Sequence, residues 1–207
     1  VGIDEAGRGP LAGPVVACAI TIRKFPISGF QFSTSLKDSK KLTPKQREEI
    51  YKMLKNSPYI QWGIGKVGPE VIDRINIFQA TKLAMKRAVQ NLNSKFLPPS
   101  LREALRVGKI QNPKLSLLID GNFKIDLDIP QRSIIKGDEK VFLIKLASIV
   151  AKVSRDKIMV KYHKKYPQYR FDKHKGYPTE LHLKMLKKYG PCKIHRKTFK
   201  PVREIKN

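Results

Sequence analysis

Residues 2–22, GIDEAGRGPLAGPVVACAITI, contain two apolar runs typical of β-strands, joined by a glycine-rich turn. The first run ends in two adjacent acids, Asp4 and Glu5, and the second run spans residues 14–22. Gly7 and Gly9 carry no side chains, which allows the backbone to turn immediately after the acids. The stretch therefore predicts two consecutive strands with a pair of carboxylates at the end of the first.

Strands and helices alternate along the rest of the chain. LTPKQREEIYKMLKNS (42–57) predicts a helix with Thr43 as its N-cap, Pro44 at its first position and Gln46 completing a capping box. A second helix is predicted from Asn76 onward, because apolar residues recur there at helical spacing. Further strands are predicted at 59–67, 115–120 and 133–135, and a long helix at 139–166. The alternation favours the α/β class with a mixed sheet.

The charge of the chain is strongly positive. It has 43 Lys and Arg against 17 Asp and Glu, and 18 of those basic residues lie in residues 151–207, where only four acids occur. Such an excess points to a polyanionic partner, with nucleic acid first and a membrane surface second. A basic surface that only keeps the protein in solution is the alternative.

Two features bear on where the protein works. No apolar run reaches the roughly 18 residues that a membrane span needs, and no signal peptide is recognisable. Cys18 and Cys192 share no spacing typical of a metal site and do not suggest a disulfide-rich secreted scaffold. We therefore expect a cytoplasmic protein that does not enter a membrane.

Acids stand at the ends of several predicted strands. Asp4 follows the first strand, Asp120 ends LSLLID, and Asp138 lies between a short strand and the long helix. In open α/β sheets such strand ends meet at one edge and form sites. Glu5 should point to the opposite face from Asp4 unless the strand ends there, or unless Glu5 contributes its backbone carbonyl.

Crowded carboxylates repel one another, and a divalent cation removes that conflict. A ligand set of oxygens without Cys or His suits Mg²⁺ or Mn²⁺, and two such ions about 4 Å apart can drive phosphodiester hydrolysis. Each acid also has a structural alternative: Asp138 could cap the long helix, Asp120 could start a turn, and Glu5 could pair with Arg8. Composition and spacing leave these alternatives open.

The sequence as a whole resembles ribonuclease HII, the type 2 ribonucleases H. The resemblance is carried, in order, by GIDEAGRGPLAGPVVACAI, DSKKL, INIFQATKLAM, LLIDG, IIKGD, LASIVAKVSRD, KHKGYPT and GPCKIHRKTFKPV. These blocks cover nearly the whole chain outside residues 95–114. The GRG triplet differs from the sequence that type 3 ribonucleases H carry at this position. The resemblance implies a ribonuclease H-like catalytic domain at 1–155, with 95–114 an insertion or loop, and a basic C-terminal helical extension at 156–207.

The resemblance also implies an activity. The expected enzyme is an endonuclease that cuts the RNA strand of RNA–DNA hybrids and incises 5′ of a single ribonucleotide in duplex DNA, leaving 3′-hydroxyl and 5′-phosphate ends. By position, the metal-site and catalytic carboxylates are Asp4, Glu5, Asp120 and Asp138, which would hold two Mn²⁺ or Mg²⁺ ions. The residues after Asp138, EKVFLIK, are bulkier than the family's small-residue run, which predicts a shifted helix start.

Substrate contacts follow from the same resemblance. The backbone of Gly7, Arg8 and Gly9 would read the ribose 2′-hydroxyl, and Tyr177 would pack on the neighbouring deoxyribose. The predicted phosphate contacts are Lys40, Lys41, His174 and Lys175, whereas Asp156 is expected to pair with a basic neighbour. The expected partners are an RNA–DNA hybrid and ribonucleotide-containing DNA, bound by a monomer; contact with a sliding clamp is possible. The rival hypotheses are a non-catalytic nucleic-acid-binding protein and an enzyme of the same fold that acts on DNA alone.

Overall fold

The fold is built around one five-stranded sheet. The computed structural model describes residues 1–23, 42–92, 99–107 and 116–205. The strands are β1 (Gly2–Ala6), β2 (Val15–Ile22), β3 (Ile60–Val67), β4 (Leu117–Asp120) and β5 (Gln131–Ile134). Their order across the sheet is β3-β2-β1-β4-β5. The pairs β1–β2 and β2–β3 are antiparallel, and β1–β4 and β4–β5 are parallel, which confirms the predicted mixed α/β class.

Helices cover both faces of this sheet. In the described ranges they are α1 (Pro44–Asn56), α2 (Pro69–Gln90), α3 (Pro99–Val107), α4 (Gly137–Lys140), α5 (Phe142–Lys165), α6 (Phe171–His174), α7 (Glu180–Tyr189) and α8 (Lys200–Arg203). A 3₁₀ turn at Pro167–Tyr169 links α5 to α6. None of the helices described is long and apolar enough to cross a membrane.

The start of α1 follows its sequence signals closely. The Gln46 backbone N–H donates to the Thr43 hydroxyl (3.3 Å), and the Thr43 N–H donates to the Gln46 side-chain oxygen (2.8 Å). Pro44 occupies the first turn, where no backbone donor is needed. The predicted capping box is confirmed.

The second helix begins earlier than predicted. α2 starts at Pro69, and Asn76 interrupts it with φ 62° and ψ 166°. The Asn76 side-chain oxygen accepts the backbone N–H groups of Phe78 (2.9 Å) and Gln79 (3.1 Å), so Asn76 caps the second part of the helix. The apolar periodicity correctly identified that second part, but not the preceding turn that Pro69 opens.

The predicted long helix is broken near its start. Val141 is extended (φ −120°, ψ 118°) and separates the short α4 from α5, which begins at Phe142. Asp138 therefore lies inside α4 and does not cap the long helix, whose N-cap is Val141. α5 therefore begins three residues after the helix start predicted at 139. That the bulky run after Asp138 causes this shift stays a prediction.

The sheet separates two apolar layers. Ile3, Ala17 and Ala19 pack with α2 on one face, whereas Cys18 and Ile20 pack with α1 and α5 on the other. This alternation is the period of two expected of a strand buried on both sides. It directs the side chain of Asp4, which pairs with Cys18 in the register, toward α5.

The predicted division of the chain stays a prediction. α5 runs without interruption through the proposed boundary at 155/156. In the predicted insertion at 95–114, residues 99–107 form α3, and the remaining positions lie outside the described residues.

Candidate active site

The sheet register places two of the predicted acids, Asp4 and Asp120, next to each other on neighbouring strands. In the parallel pair of β1 and β4, Ile3 lies beside Ile119, so Asp4 and Asp120 are the next residues on neighbouring strands, and Asp120 is the last residue of β4. Among the described residues, β1 continues through Ala6 beyond its pairing with β4, which ends at Ile3. Both Asp120 and the part of β1 beyond this pairing line a cleft.

This cleft gathers most of the predicted site. It has a volume of about 430 Å³ and is bounded by β1, the loop after it, β4, α4 and α5. Its lining residues are Asp4, Glu5, Ala6, Gly7, Arg8, Gly9, Arg47, Asp120, Asp138, Ser148, Ile149, Lys152 and Tyr177. All four predicted carboxylates, the glycine-rich loop and the predicted tyrosine therefore face one space.

Asp4 is almost completely buried in the cleft. Its side chain is 5% exposed, and its Oδ1 accepts the backbone N–H of Glu5 at 2.7 Å. Burial, followed by the charges of Glu5 and Asp120, raises the pKa of Asp4 well above its ordinary value, with a Ser148 hydrogen bond opposing. The carboxylate is thus held in a place where a positive charge would stabilise it.

Glu5 reaches the same cleft although β1 does not end before it. It pairs with Ala17 in the sheet, and its Oε1 lies 3.5 Å from Arg8 Nη1. Its Oε2 is buried without a hydrogen-bond partner among the described residues. Burial raises the pKa of Glu5, Asp120 adds to this effect, and Arg8 opposes it. Glu5 therefore makes the alternative contact with Arg8 and still presents one unsatisfied oxygen.

Asp120 and Asp138 are joined through the backbone of α4. The Gly137 N–H donates to Asp120 Oδ1 at 2.7 Å, which ties the end of β4 to the start of α4. Asp138, the next residue, is 5% exposed and lines the cleft. The break at Val141 lets α4 turn toward β4 independently of α5.

The donor set of the cleft fits a hard divalent cation. Its acids offer carboxylate oxygens alone, and the unpartnered Glu5 Oε2 is a buried acceptor that such an ion would satisfy. Among the described residues no three His, Cys, Asp or Glu side chains converge tightly enough to form a ready-made cage. The acids thus border a shared space, and a cation bound there would relieve the repulsion between their carboxylates.

The two glycines of the loop differ in what surrounds them. Gly7 has φ +97°, and a Cβ there would lie 2.0 Å from Arg155 Nε. A Cβ on Gly9 would meet no heavy atom within 4 Å. The protein itself requires a glycine at position 7, whereas the space at position 9 opens to the cleft.

Tyr177 lines the same cleft from the segment between α6 and α7. Its side chain is 38% exposed, and its ring centre lies 5.4 Å from Lys152 Nζ and 5.7 Å from Arg155 Cζ. Its backbone N–H donates to the His174 carbonyl at 2.9 Å. The ring is thus presented by a fixed backbone beside two cations.

His174 is not placed to contact a phosphate. Its ring is buried, stacked on His182 with centroids 4.3 Å apart, and both of its nitrogens are used. Nε2 lies 2.8 Å from the Tyr169 carbonyl, and Nδ1 accepts the Gly176 N–H at 3.1 Å. We therefore correct the predicted phosphate contact: His174 shapes the turn before Tyr177.

Two further histidines continue this network. His182 Nδ1 lies 2.9 Å from the Tyr177 carbonyl, and His182 Nε2 lies 3.1 Å from His195 Nε2. His195 Nδ1 accepts the Cys192 N–H at 2.9 Å. With His182 donating from Nδ1 and His195 from Nε2, every nitrogen is satisfied with both rings neutral.

This network predicts a loss of stability in acid. Burial lowers the pKa of His182 and of His195 to about 4 each, from an ordinary value of 6.5. Between pH 6.5 and about 4 the unfolded chain binds protons that the folded chain does not, so the free energy of unfolding falls as the pH falls. Thermal unfolding followed across this range should show a decreasing Tm.

A variant isolates the contribution of the network. His195→Gln cannot take up a proton, so its Tm should depend less steeply on pH over the same window. If the Tm of His195→Gln and of the wild-type protein changed equally with pH, the histidine network would not be the cause of the acid sensitivity.

The three remaining predicted phosphate contacts are lysines, and the structure describes one of them. Lys40 and Lys41 lie outside the described residues. Lys175 is half-buried, its Nζ donates to the Asp172 carbonyl, and it borders a groove between α1 and α5 that adjoins the cleft at Arg47. Asp156 pairs with Lys152 at 2.9 Å, as expected.

Sequence reasoning missed several residues of the cleft. Ser148 and Lys152 are one helical turn apart on α5, and Arg47 lies in the first turn of α1. The four-residue spacing of Ser148 and Lys152 could have identified them, because it places both on one face of the predicted helix. Arg47 carries no such local signal.

The fold and this cleft define an α/β protein of the ribonuclease H class. The sequence matches the family model "Ribonuclease HII" over residues 1–202. It is 47% identical to ribonuclease HII of Chlamydia muridarum, over 98% of this chain and 82% of that protein. It is likewise 47% identical to ribonuclease HII of Polynucleobacter asymbioticus, over 99% and 94% of the two chains. The chain belongs to the ribonuclease HII family, and it is therefore an endonuclease that hydrolyses RNA in RNA–DNA hybrids.

Solved structures agree with this fold. The ribonuclease H2 of Pyrococcus horikoshii superposes with a TM-score of 0.71 at 27% identity, covering 99% of this chain and 95% of that one. Two more distant structures share the fold. One is the ribonuclease HII of Archaeoglobus fulgidus in a complex with PCNA (TM-score 0.70, 22% identity, 95% and 91% covered). The other is Bst-RNase HIII with Mn²⁺ (TM-score 0.74, 15% identity, 98% and 67% covered).

Proposed function

We propose that this endonuclease depends on a divalent metal and also incises 5′ of a single ribonucleotide embedded in duplex DNA, leaving 3′-hydroxyl and 5′-phosphate ends. One observation carries the proposal: four carboxylates, the Gly7–Gly9 loop and Tyr177 line the same cleft. The carboxylates supply the site of hydrolysis, and the loop and the tyrosine supply two neighbouring contacts for sugars. A single cleft can thus cut a strand and test its sugars at the same step.

In this proposal the acids hold the metal. Asp4, Glu5, Asp120 and Asp138 would bind Mg²⁺ or Mn²⁺, which when bound supplies activated water and stabilises the leaving oxygen. The protein's own cations, Arg8, Arg47 and Lys152, border the acids and would hold the phosphates of the approaching strand. Because the cations attract the phosphates, they would determine which part of the substrate lies against the carboxylates.

The loop would distinguish RNA from DNA. A 2′-hydroxyl is both a hydrogen-bond donor and an acceptor, and backbone groups can read it only where no side chain intervenes. The open space at Gly9 meets that requirement, since a Cβ there has no neighbour in the protein. The next sugar would meet the ring of Tyr177, whose apolar face suits a deoxyribose.

Replacing the ring of Tyr177 should weaken this sugar preference. We expect Tyr177→Ala to lower cleavage at the RNA–DNA junction by about tenfold relative to cleavage inside a long hybrid, which corresponds to a loss of about 1.4 kcal/mol in the contact with the sugar. Quantified product ladders on the two substrates would measure the ratio. Tyr177→Phe keeps the ring and serves as the control; a ratio unchanged in Tyr177→Ala would exclude this role.

The incision itself is tested with a labelled DNA duplex that contains one ribonucleotide. We expect a nick on the 5′ side of that nucleotide with Mn²⁺ or Mg²⁺, no nick with EDTA, and no nick in an all-DNA duplex. Cleavage of the all-DNA duplex would favour the enzyme that acts on DNA alone. Cleavage in EDTA would contradict the metal dependence.

The rival non-catalytic binder predicts a different metal response. It would bind the hybrid with strong salt dependence and without regard to divalent ions or ribose. Titration calorimetry with Mn²⁺ separates the hypotheses, because the proposed enzyme has a saturable metal site in the presence of a hybrid. The monomeric state, the cytoplasmic location and contact with a sliding clamp stay predictions.

A further inference from the structure

Two arginines are completely buried beside the cleft. Arg155 on α5 and Arg196 in the segment between α7 and α8 are each 0% exposed. In the described part of the chain, neither guanidinium forms a salt bridge with a carboxylate at hydrogen-bonding distance. Their charges are instead distributed over six backbone carbonyls, an unusual arrangement because a buried cation is costly without close partners.

Arg196 binds the glycine-rich loop directly. Its Nη2 donates to the Gly7 carbonyl at 2.6 Å and its Nη1 to the Arg8 carbonyl at 2.8 Å. Its Nε donates to the Gly13 carbonyl at 3.0 Å. One side chain from the C-terminal part of the chain thus fixes three peptide units between β1 and β2.

Arg155 extends this connection to the segment that carries Tyr177. Its Nε donates to the Pro14 carbonyl (3.0 Å) and its Nη2 to the Ala12 carbonyl (3.1 Å). Its Nη1 donates to the Lys175 carbonyl (3.0 Å), two residues before Tyr177, whose ring centre lies 5.7 Å away. The loop and the tyrosine are therefore held by a common pair of side chains.

The direction of these contacts determines where the loop's donors point. In a trans peptide the C=O and the following N–H project to opposite sides. Because the carbonyls of Gly7 and Arg8 point inward to Arg196, the N–H groups of Arg8 and Gly9 point outward, to the side of the cleft. The inward cation also polarises both peptides and strengthens these N–H groups as donors.

We propose that Arg196 and Arg155 are positioning residues for sugar recognition: they aim the N–H groups of Arg8 and Gly9 at the ribose and hold Tyr177 at a fixed distance from them. This inference rests on the proposed function, in which the loop reads the 2′-hydroxyl. Neither arginine is exposed to the cleft, so each acts through the backbone that it holds. The three planar donors used by each side chain explain why lysine would not substitute.

Arg196→Lys tests the proposal, because it keeps the charge and removes the three-carbonyl fork. The measurement is the ratio of dissociation constants for an all-DNA duplex and a duplex with one ribonucleotide, both in EDTA so that nothing is cut. We expect the variant's ratio to fall about tenfold toward unity, the equivalent of one hydrogen bond. Arg203→Lys makes the same chemical change at an exposed arginine of α8 and should leave the ratio unchanged.

The outcomes separate this inference from the function on which it rests. An unchanged ratio in Arg196→Lys overturns the positioning role, whereas the proposed function stands if the wild-type protein prefers the ribonucleotide and nicks beside it. Absence of any preference in the wild-type protein overturns both. A purely structural arginine would weaken binding of both duplexes equally and leave the ratio where it was.

A second measurement needs no variant and tests where the two N–H groups point if Arg196→Lys does not fold. In amide NMR spectra of the wild-type protein in EDTA, the Arg8 and Gly9 resonances should move further with the ribonucleotide-containing duplex than with its all-DNA counterpart. Superimposable shifts for the two duplexes would show that these N–H groups do not meet the ribose, and would overturn the proposal.

Discussion

Asp4→Asn should abolish cleavage while binding of the hybrid survives. Asp4 is almost completely buried in the cleft, and its position beside Glu5 and Asp120 makes its charge central to holding a cation. An amide supplies one neutral oxygen in place of a carboxylate. We expect the cleavage rate to fall by about a thousandfold or more, since a loss of roughly 4 kcal/mol in transition-state stabilisation has that effect.

The same variant should be at least as stable as the wild-type protein without metal. Removing one of several crowded negative charges relieves their repulsion, so the Tm in EDTA should stay equal or rise. Asp126→Asn is a suitable control, because Asp126 pairs with Lys86 far from the cleft and is 91% exposed. Full cleavage by Asp4→Asn would exclude Asp4 as a required ligand.

Gly7→Ala should destabilise the fold. The residue has φ +97°, which an L side chain rarely adopts, and the new Cβ would lie 2.0 Å from Arg155 Nε and 2.4 Å from Arg155 Cδ. Strain of this kind costs about 1–3 kcal/mol, and displacement of a buried arginine adds to it. A Tm decrease of roughly 5–10 °C is expected for a chain of this size, measured by thermal unfolding.

Gly9→Ala is the matched control two residues away. Its Cβ meets no atom within 4 Å, so the Tm should change by no more than about 1 °C. Cleavage beside a ribonucleotide should nevertheless drop, because the added methyl group would occupy the approach of the sugar. Normal cleavage by Gly9→Ala would show that the sugar does not come close to this residue.

Local signals predicted the elements with the strongest sequence patterns. The capping box at Thr43 joins residues three positions apart, and the two strands of residues 2–22 are consecutive in the sequence and joined by one short turn. The start of α2 at Pro69 and the break at Val141 were missed. The start of α2 has a local signal, a proline at the first helical position, that the apolar spacing does not include, whereas no such signal marks the break at Val141.

The acids at strand ends were also found from sequence, because parallel strands must align their carboxyl ends. The position of Glu5 along its strand did not predict its place in the cleft. Glu5 reaches the cleft although β1 continues beyond this residue. Its access depends on β4 ending early beside β1, a property of a strand more than 100 residues away in the chain. His174 was misassigned because its ring is held by the Tyr169 carbonyl, in the 3₁₀ turn before α6, and by the ring of His182 on α7.

The sequence by itself determined the α/β class, the candidate carboxylates, the glycine-rich turn and the basic character of the protein. These properties reside in residue type and short-range spacing. Only the tertiary structure decided which carboxylates share a cleft, which glycine the protein itself requires, and which arginines lie buried. The contact between Arg196 and Gly7 spans 189 residues. No local pattern encodes such a pairing, because it exists only after the sheet has formed and the C-terminal segment has packed against it.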